Sequence, residues 1–235
     1  MTDQIEDSGP DTRDVTAEVE FISAERLIFF SDAVAAIAMT LLAFTLKVPA
    51  STSCKPIAGG ACNQAILTGL WNDRLSYLEF LISFVVIGGH WRSHHRLFRY
   101  VNRLDSRIIT LNMVWLLMIV IIPFATEMLS GRGGFGVRFS LYAIIQVLTL
   151  LTFLLMSRHL RGGELLRPTA PPPTARDDDA SLLTVAVMFA ISIPVAFVPG
   201  WGQWAFVFWV ASAPAGRAVR RRLARDRNRD TDGAD

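Results

Sequence analysis

Several polar side chains stand inside long apolar segments of this sequence, where an unpaired polar group costs free energy. They fall at the start of one segment, at the end of the next and near the start of a third: Arg26, Ser31, Asp32, His90, Trp91, His94, His95 and Asn112. Carboxylate, imidazole and amide groups can hold helices together through hydrogen bonds, or they can pass protons. Both interpretations stay open from the residues alone: a structural polar network, or a proton relay or gate.

The spacing His90-x3-His94-His95 also has the shape of a histidine box, which could bind iron in a membrane di-iron enzyme. Such a centre takes many histidine ligands, and this chain has only four histidines, of which His159 stands far from the others. The sequence has no G-x-S-x-G, H-E-x-x-H, C-x-x-C or P-loop motif either. It therefore predicts no enzyme, no cofactor and no metal site.

The elements that must position these side chains are membrane helices. The chain has 235 residues, of which 51% are hydrophobic and 19% charged, whereas soluble domains carry about 25% charged residues. A bilayer crossing needs about 20 mostly apolar residues. Six apolar blocks predict such helices, and the last two are short: 27–48, 77–94, 108–129, 139–158, 181–199 and 201–216.

The fold class predicted from these blocks is an all-α integral membrane protein with six transmembrane helices per subunit. A six-helix domain occupies residues 26–216, between an N-terminal tail at 1–25 and a basic C-terminal tail at 217–235. Pro199 and Gly200 predict a tight turn between the fifth and sixth helices. The last two helices are therefore expected to form a hairpin.

The distribution of Lys and Arg predicts the orientation, because positive charges accumulate on the cytosolic side. With the N-terminus inside, 18 of the 23 basic residues fall in segments predicted to be cytosolic. Both termini are therefore predicted to be cytosolic. The basic C-terminal tail favours contact with anionic lipid headgroups, and no nucleic-acid partner is predicted.

Cys54 and Cys62 are the only cysteines, and both fall in the first predicted outside loop. That side permits a disulfide, which stabilises a loop by roughly 2–3 kcal/mol. The residues fit two free thiols in this loop equally well. A metal site is not predicted, because no third ligand stands nearby.

One face of the first predicted helix carries an apolar stripe. At 100° per residue, Leu41 and Phe44 lie within about 40° of Ile37, whereas Ser31 and Asp32 lie about 120° and 140° away. Such a stripe usually faces lipid or another helix, so periodicity alone does not predict a pore. The sequence has no GYG-type filter and no regular Arg ladder, which excludes a conventional potassium filter and a voltage sensor.

The stretch around Asp32 resembles the first helix of the transmembrane protein 175 family. The signature of that family is R-x3-F-S-D followed by A-x3-I-x2-T, and its letters fall here on Arg26, Phe30, Ser31, Asp32, Ala33, Ile37 and Thr40. Residues 83–98 and 111–124 also resemble the second and third helices of the family. The resemblance covers residues 26–130 well and the last three predicted helices only in pattern.

The resemblance implies a cation channel that is modestly selective for potassium over sodium, with potassium as the permeant ion. It further implies a homotetramer in a prokaryotic plasma membrane, with the first helix of each subunit lining a central pore. Carried over by position, Ile37, Leu41 and Phe44 form an apolar gate, and Thr40 offers a hydroxyl for selectivity. Phe44 departs from the family, which often has leucine there.

The R-F-S-D residues of the family pack against its second and third helices. The resemblance therefore implies a structural polar network rather than an ion path, and its members are Arg26, Phe30, Ser31, Asp32, Trp91, His94, His95 and Asn112. A single helix cannot enclose a channel, so the apolar stripe becomes a pore only in an oligomer with a central axis. Narrow apolar rings of this kind gate by excluding water and hydrated ions.

Two other functions stay open. One is a proton-conducting leak or a proton-coupled transporter that uses Asp32 and the histidines. The other is a structural membrane protein without transport activity. Ion flux without a proton gradient distinguishes a channel from the first, and the absence of any flux would favour the second.

Overall fold

The computed structural model describes residues 12–48, 59–131, 133–163, 165–167 and 175–232. Within these ranges the chain is helical, and its one β feature is an isolated antiparallel bridge between Val101 and Leu166. The α-helices are α1 (Thr12–Leu41), α2 (Gly59–Asn72), α3 (Arg74–Phe98), α4 (Ser106–Leu129), α5 (Phe135–Gly162), α6 (Ala175–Val195) and α7 (Ala205–Asp232). The all-α prediction is confirmed.

Four segments are long and apolar enough to cross a membrane, judged by length and composition: Ala24–Thr45, Ser106–Leu129, Phe135–Gly162 and Asp178–Val195. They correspond to the first, third, fourth and fifth predicted spans. The second and sixth predicted spans lie in α3 and α7. These helices are less apolar, because α3 ends in a run of His and Arg, and the apolar part of α7 stops at Arg217. The count of six transmembrane helices stays a prediction.

Several helix ends differ from the prediction. α1 begins at Thr12, and α7 runs to Asp232, so both helices continue across the expected boundaries at residues 25 and 217. α6 ends at Val195 rather than at residue 199, and the chain turns through Gly200, which has a φ of 76°. This left-handed conformation favours glycine. A short 3₁₀ segment, Gly202–Trp204, then leads into α7.

Helix α2 was not predicted, because Gly59–Asn72 was treated as part of an outside loop. It has 14 residues and so is about 21 Å long, too short to cross the hydrocarbon core. Only Asp73 separates it from α3. The element is therefore an additional helix beside the predicted six.

The core lies where α5 packs against α4 on one side and against α6 and α7 on the other. Trp115 and Ile119 of α4 and Phe139 and Tyr142 of α5 are fully buried. Trp209 of α7 stacks on Phe139 and Tyr142, with ring centroids 4.4 and 4.6 Å apart. Aromatic stacking therefore joins the last hairpin to the rest of the helices.

Helix α1 packs against α3 and α4 through small side chains. The residues of its buried face are mostly alanine or serine and recur every three, four or seven positions: Ala24, Ser31, Ala35, Ala38 and Leu42. Small residues let membrane helices approach closely. This packing fixes which face of α1 the rest of the subunit covers.

Two loops predicted to be cytosolic lie beside each other. The backbone N–H of Asn102, between α3 and α4, donates to the carbonyl of Leu165, after α5, at 2.8 Å. The N–H of Arg167 donates to the carbonyl of Tyr100 at 2.9 Å. These loops therefore lie at one end of the molecule, as helices that alternate in direction require.

Candidate functional site

The two faces of α1 hold the residues that the sequence singled out. We name the residues hydrogen-bonded to the buried face, or to one another, the polar cluster: Ser31, Asp32, Trp91, His94, His95 and Asn112. The exposed face carries the apolar stripe of Ile37, Leu41 and Phe44. The cluster draws on α1, α3 and α4, and the stripe draws on α1 and the 3₁₀ segment that follows it.

The deepest part of the polar cluster is a chain of hydrogen bonds between three helices. The amide Nδ2 of Asn112 donates to Ser31 Oγ at 3.0 Å. The Oδ1 of the same amide lies 2.8 Å from His94 Nε2. Ser31 Oγ in turn donates to the carbonyl of Leu27 at 2.8 Å. Because Ser31, His94 and Asn112 are at most 1% exposed, this chain joins α1, α3 and α4 inside the protein.

The imidazole of His94 is held between two aromatic rings. Its centroid lies 4.1 Å from that of Phe98 and 4.4 Å from that of Trp115, and both pairs are stacked. The Nδ1 atom is buried and has no hydrogen-bond partner among the described residues. Stacking and the bond to Asn112 together fix the orientation of the ring.

Asp32 occupies the outer part of the polar cluster. Its Oδ1 accepts a hydrogen bond from Trp91 Nε1 at 2.9 Å, and its Oδ2 lies 3.3 Å from His95 Nδ1. Its side chain is 26% exposed. Both carboxylate oxygens therefore have a partner on α3, and the group is directed at a neighbouring helix rather than along the stripe.

Three residues of the sequence analysis lie apart from this cluster. Arg26 and Phe30 are exposed, and no hydrogen bond or ion pair joins Arg26 to any residue in the described ranges. His90 lies one turn before His94 on α3, but it contacts α5 instead: its Nε2 is 2.9 Å from Gln146 Oε1. The structure thus brings together six of the eight residues expected in the network and leaves Arg26 and Phe30 on the exposed face.

The apolar stripe lies on the uncovered side of α1. Ile37 is 57% exposed, Leu41 is 40% exposed and Phe44 is 84% exposed. The helix tightens into a 3₁₀ segment at Leu42–Thr45. Because a 3₁₀ turn takes about three residues, Phe44 stands nearly in line with Leu41 rather than at its α-helical angle.

Thr40 is exposed beside the stripe. Its Oγ1 donates a hydrogen bond to the carbonyl of Ile37 at 2.8 Å. The hydroxyl hydrogen is therefore engaged within the helix, and the lone pairs of the oxygen remain as acceptors. An oxygen of this kind can coordinate a cation.

Sequence reasoning missed a second group of polar contacts. Thr126 Oγ1 donates to Ser83 Oγ at 2.8 Å, and Ser83 Oγ lies 3.1 Å from the hydroxyl of Tyr142. These residues stand in apolar segments, so the signal that identified Asn112 was available for them too. The group links α3, α4 and α5.

His159, which stands far from the other histidines in the sequence, contacts Asp105 in space. His159 Nε2 lies 2.5 Å from Asp105 Oδ2, and Asp105 Oδ1 accepts from the backbone N–H of Ile108 at 2.7 Å as the N-cap of α4. The hydrogen bond from His159 and that from Ile108 lower the pKa of Asp105. The contact joins the start of α4 to the end of α5 and lies apart from the polar cluster.

Cys54 lies outside the described residues, and Cys62 lies in the first turn of α2. The pairing of Cys54 with Cys62 therefore stays a prediction.

The comparisons with known proteins agree on one family. Residues 26–123 match the family model described as endosomal/lysosomal potassium channel TMEM175. A potassium channel of Streptomyces collinus is 32% identical over 179 residues, which are 74% of this chain and 82% of that protein. A potassium channel of Chamaesiphon minutus is 38% identical over 105 residues, which are 45% of this chain and 48% of that protein.

A solved structure has the same fold. It is the crystal structure of a lysosomal potassium-selective channel TMEM175 homologue from Chamaesiphon minutus, which is 29% identical. The TM-score is 0.53, and the match covers 81% of this chain and 98% of the other. The signature residues of α1, the extent of the Streptomyces match and this structural likeness together show that the chain belongs to the TMEM175 family, a family of ion channels and not of enzymes.

Proposed function

We propose that this protein is a potassium-permeable cation channel, modestly selective for potassium over sodium, in a prokaryotic plasma membrane. Four identical subunits surround a central pore, and α1 of each subunit lines it. The observation that carries the proposal is the contrast between the two faces of α1. One face is packed inside the subunit, whereas Ile37, Leu41 and Phe44 are exposed on the other.

The stripe forms the constriction in this proposal. Four copies of α1 around one axis stack the side chains of Ile37, Leu41 and Phe44 into three apolar rings. A narrow apolar neck expels water, and a hydrated cation cannot cross it without losing part of its hydration shell. The rings therefore act as the gate. Membership of a family whose bacterial relatives carry the name potassium channel supports the choice of ion.

Thr40 supplies the polar group nearest to the Ile37 ring. Since its hydroxyl hydrogen is bonded to the carbonyl of Ile37, four hydroxyl oxygens present lone pairs to an ion beside the neck. A ring of oxygens with limited rigidity favours one ion only modestly over another. We infer that Thr40 tunes selectivity and that the apolar rings set the conductance.

The polar cluster has a structural role in this proposal, and the basic C-terminal tail contacts anionic lipid headgroups. A proton path is the alternative function for the cluster. It is less well supported, because both oxygens of Asp32 are engaged with α3 and because Ser31, His94 and Asn112 are buried within the subunit. A proton leak would carry current when protons are the only permeant cation.

The experiment that tests the pore compares two asparagine substitutions that lie two residues apart in α1, on different faces of the helix. Ile37→Asn places four amides in the proposed neck, where they hydrogen-bond to water and rewet it. We expect a higher potassium flux and weaker discrimination against sodium. Flux of both ions, and of protons alone, is measured in liposomes that contain the purified protein.

Met39→Asn is the matched control. Met39 packs against the core, and its Cε lies 3.8 Å from the position of a Cβ on Gly88 of α3. The amide would therefore destabilise the α1–α3 contact without reaching the neck. Equal flux for the unmodified protein and Ile37→Asn, in oligomers shown to be intact, removes Ile37 from the conduction path. Proton current without potassium flux would favour the proton alternative.

A further inference from the structure

A groove runs along the outside of the subunit between α3 on one side and α6 and α7 on the other, with α5 as its floor. Its larger part has a volume of about 590 Å³. Most of its walls are aliphatic or aromatic, among them Leu81, Val85, Leu150, Phe189 and Val210. This part lies at the level of the apolar sections of the helices, where a bilayer offers only acyl chains.

The groove continues into a basic mouth. A second cavity of about 310 Å³ is lined by Arg96 of α3, Arg161 of α5 and Arg220 of α7, together with Tyr100. Ser93, Phe153 and Leu182 line both cavities, so the apolar groove and the mouth are continuous. The mouth lies beside the paired loops at the end of the molecule that is predicted to be cytosolic.

The charge of the mouth favours an anion. Arg161 pairs with Asp179, and Arg220 Nη1 lies 3.5 Å from Asp178 Oδ1. Among the described residues that line the mouth, Asp178 is the one acidic side chain, against three arginines. Asp179 also pairs with Arg158, whose Nε lies 3.0 Å from Asp179 Oδ2.

Within the part of the chain that the structure describes, Arg96 is the lining arginine with no counter-ion. It is exposed, and no hydrogen bond or ion pair links it to a side chain within the described ranges. A positive charge that is free to pair thus stands where the apolar groove opens.

The length of the groove matches an amphiphile. From Leu81 to Arg96 the groove follows α3 over fifteen residues, which is about 22 Å at 1.5 Å per residue. One leaflet of the hydrocarbon core is about 15 Å thick. An acyl chain can therefore lie along the groove while its headgroup reaches the arginines, and the surface potential of anionic lipids adds to that attraction.

From this gradient of polarity we propose that the groove binds an anionic phospholipid, with an acyl chain against the apolar walls and the phosphate at Arg96, Arg161 and Arg220. The site lies on the far side of α3 from the apolar stripe of α1. It requires that the protein is embedded in a bilayer, and it does not require that the protein conducts ions.

Lipid retention by the purified oligomer, measured by native mass spectrometry, tests the site directly. The probes are dioleoylphosphatidylglycerol, which is anionic, and dioleoylphosphatidylcholine, which is zwitterionic. Arg96→Gln removes the unpaired cation and is expected to weaken retention of the anionic lipid about fivefold, since one basic residue near a membrane surface contributes about 1 kcal/mol. Retention of the zwitterionic lipid should change little.

Gly89→Leu tests the apolar part of the site. A Cβ at Gly89, which lines the groove, meets no atom within 4 Å, so a leucine fits the fold and fills the groove. We expect it to reduce retention of both lipids. Two control variants should leave retention unchanged: Arg92→Gln, one helical turn from Arg96 and outside the groove, and Gly162→Leu, where a Cβ also meets no atom within 4 Å.

Other outcomes overturn the proposal. Equal loss of the anionic lipid in Arg92→Gln and Arg96→Gln would mean that only general surface charge attracts it. Displacement of the lipid by millimolar inorganic phosphate, with no effect of Gly89→Leu, would mean that the mouth binds a free anion. If Gly89→Leu separates the subunits on size exclusion without changing lipid retention, a second copy of the chain occupies the groove. Each readout is independent of ion flux, so failure here leaves the channel proposal standing.

Discussion

Soluble proteins bury apolar side chains and expose polar ones, whereas the two faces of α1 show the opposite arrangement. The face that the subunit buries carries Ser31 and the small residues Ala35 and Ala38, and Asp32 beside it is bonded to α3. The face left exposed carries Ile37 and Phe44. In a bilayer the surroundings are as apolar as leucine, so hydrogen bonds and close packing, rather than hydrophobicity, determine which face is buried.

The contrast also separates two kinds of role along one helix. A residue of the polar cluster has partners within its own subunit, so its replacement should be read as a change in stability or assembly. A residue of the apolar stripe has no cover within the subunit, so its replacement should be read as a change in permeation.

Asn112→Ala should give the largest loss of stability. It leaves His94 Nε2 without its partner and opens a small cavity, while Ser31 keeps its bond to the carbonyl of Leu27. We expect a cost of about 3 kcal/mol from the orphaned imidazole and the cavity together. Thermal or denaturant unfolding of the purified protein in detergent measures it.

The control for this variant lies on the same helix. Met113→Ala changes the next residue of α4, which is 40% exposed, and should cost far less. If the two variants unfold alike, the buried hydrogen-bond chain does not hold α1, α3 and α4 together.

Asp32→Ala should have the next largest effect. The indole N–H of Trp91 loses its acceptor, and His95 loses the partner at its Nδ1, at a cost of about 2 kcal/mol because the site is only partly buried. We expect a smaller fraction of intact oligomer on size exclusion and no change in ion preference. Asp32→Asn keeps an oxygen that can accept from Trp91. Its fraction of intact oligomer should therefore lie between that of the unmodified protein and that of Asp32→Ala. A well-assembled Asp32→Ala oligomer with altered ion preference would place Asp32 in the ion path.

Thr40→Val should have the smallest effect on stability and should act on permeation instead. Loss of the hydroxyl from an exposed position should change the free energy of unfolding by less than about 0.5 kcal/mol. The ratio of potassium to sodium flux should fall by a factor of about 2 to 5, which corresponds to less than roughly 1 kcal/mol. Paired flux measurements in liposomes give this ratio.

Thr45 offers a control with the same chemistry on the buried face. Its Oγ1 donates to the carbonyl of Leu42 at 2.8 Å, as that of Thr40 does to Ile37, but Thr45 is only 9% exposed. Thr45→Val should therefore lower stability by about 1 kcal/mol and leave the flux ratio unchanged. If Thr45→Val changed the flux ratio and Thr40→Val lowered the stability instead, the assignment of the two faces would be wrong.

The amino-acid sequence alone determined the helical fold class, most of the membrane segments and the angular separation of Ile37 from Asp32. These properties are local: apolar length predicts a span, and a rotation of 100° per residue places side chains around one helix. The family signature was likewise readable from consecutive residues of α1. Local patterns fail where a helix simply continues, as α7 does beyond Arg217, because a change from apolar to basic residues does not end a helix.

Only the tertiary structure decided which polar groups meet. Nothing in the spacing distinguishes His90, which contacts Gln146, from His94, which contacts Asn112, although the two lie on the same helix. The tertiary structure also leaves Arg26 outside the cluster and brings His159 into contact with Asp105. Such contacts depend on how far each helix is rotated about its axis and how deeply it is set against its neighbours. That geometry results from packing the whole set of helices together, so it cannot be read from any one of them.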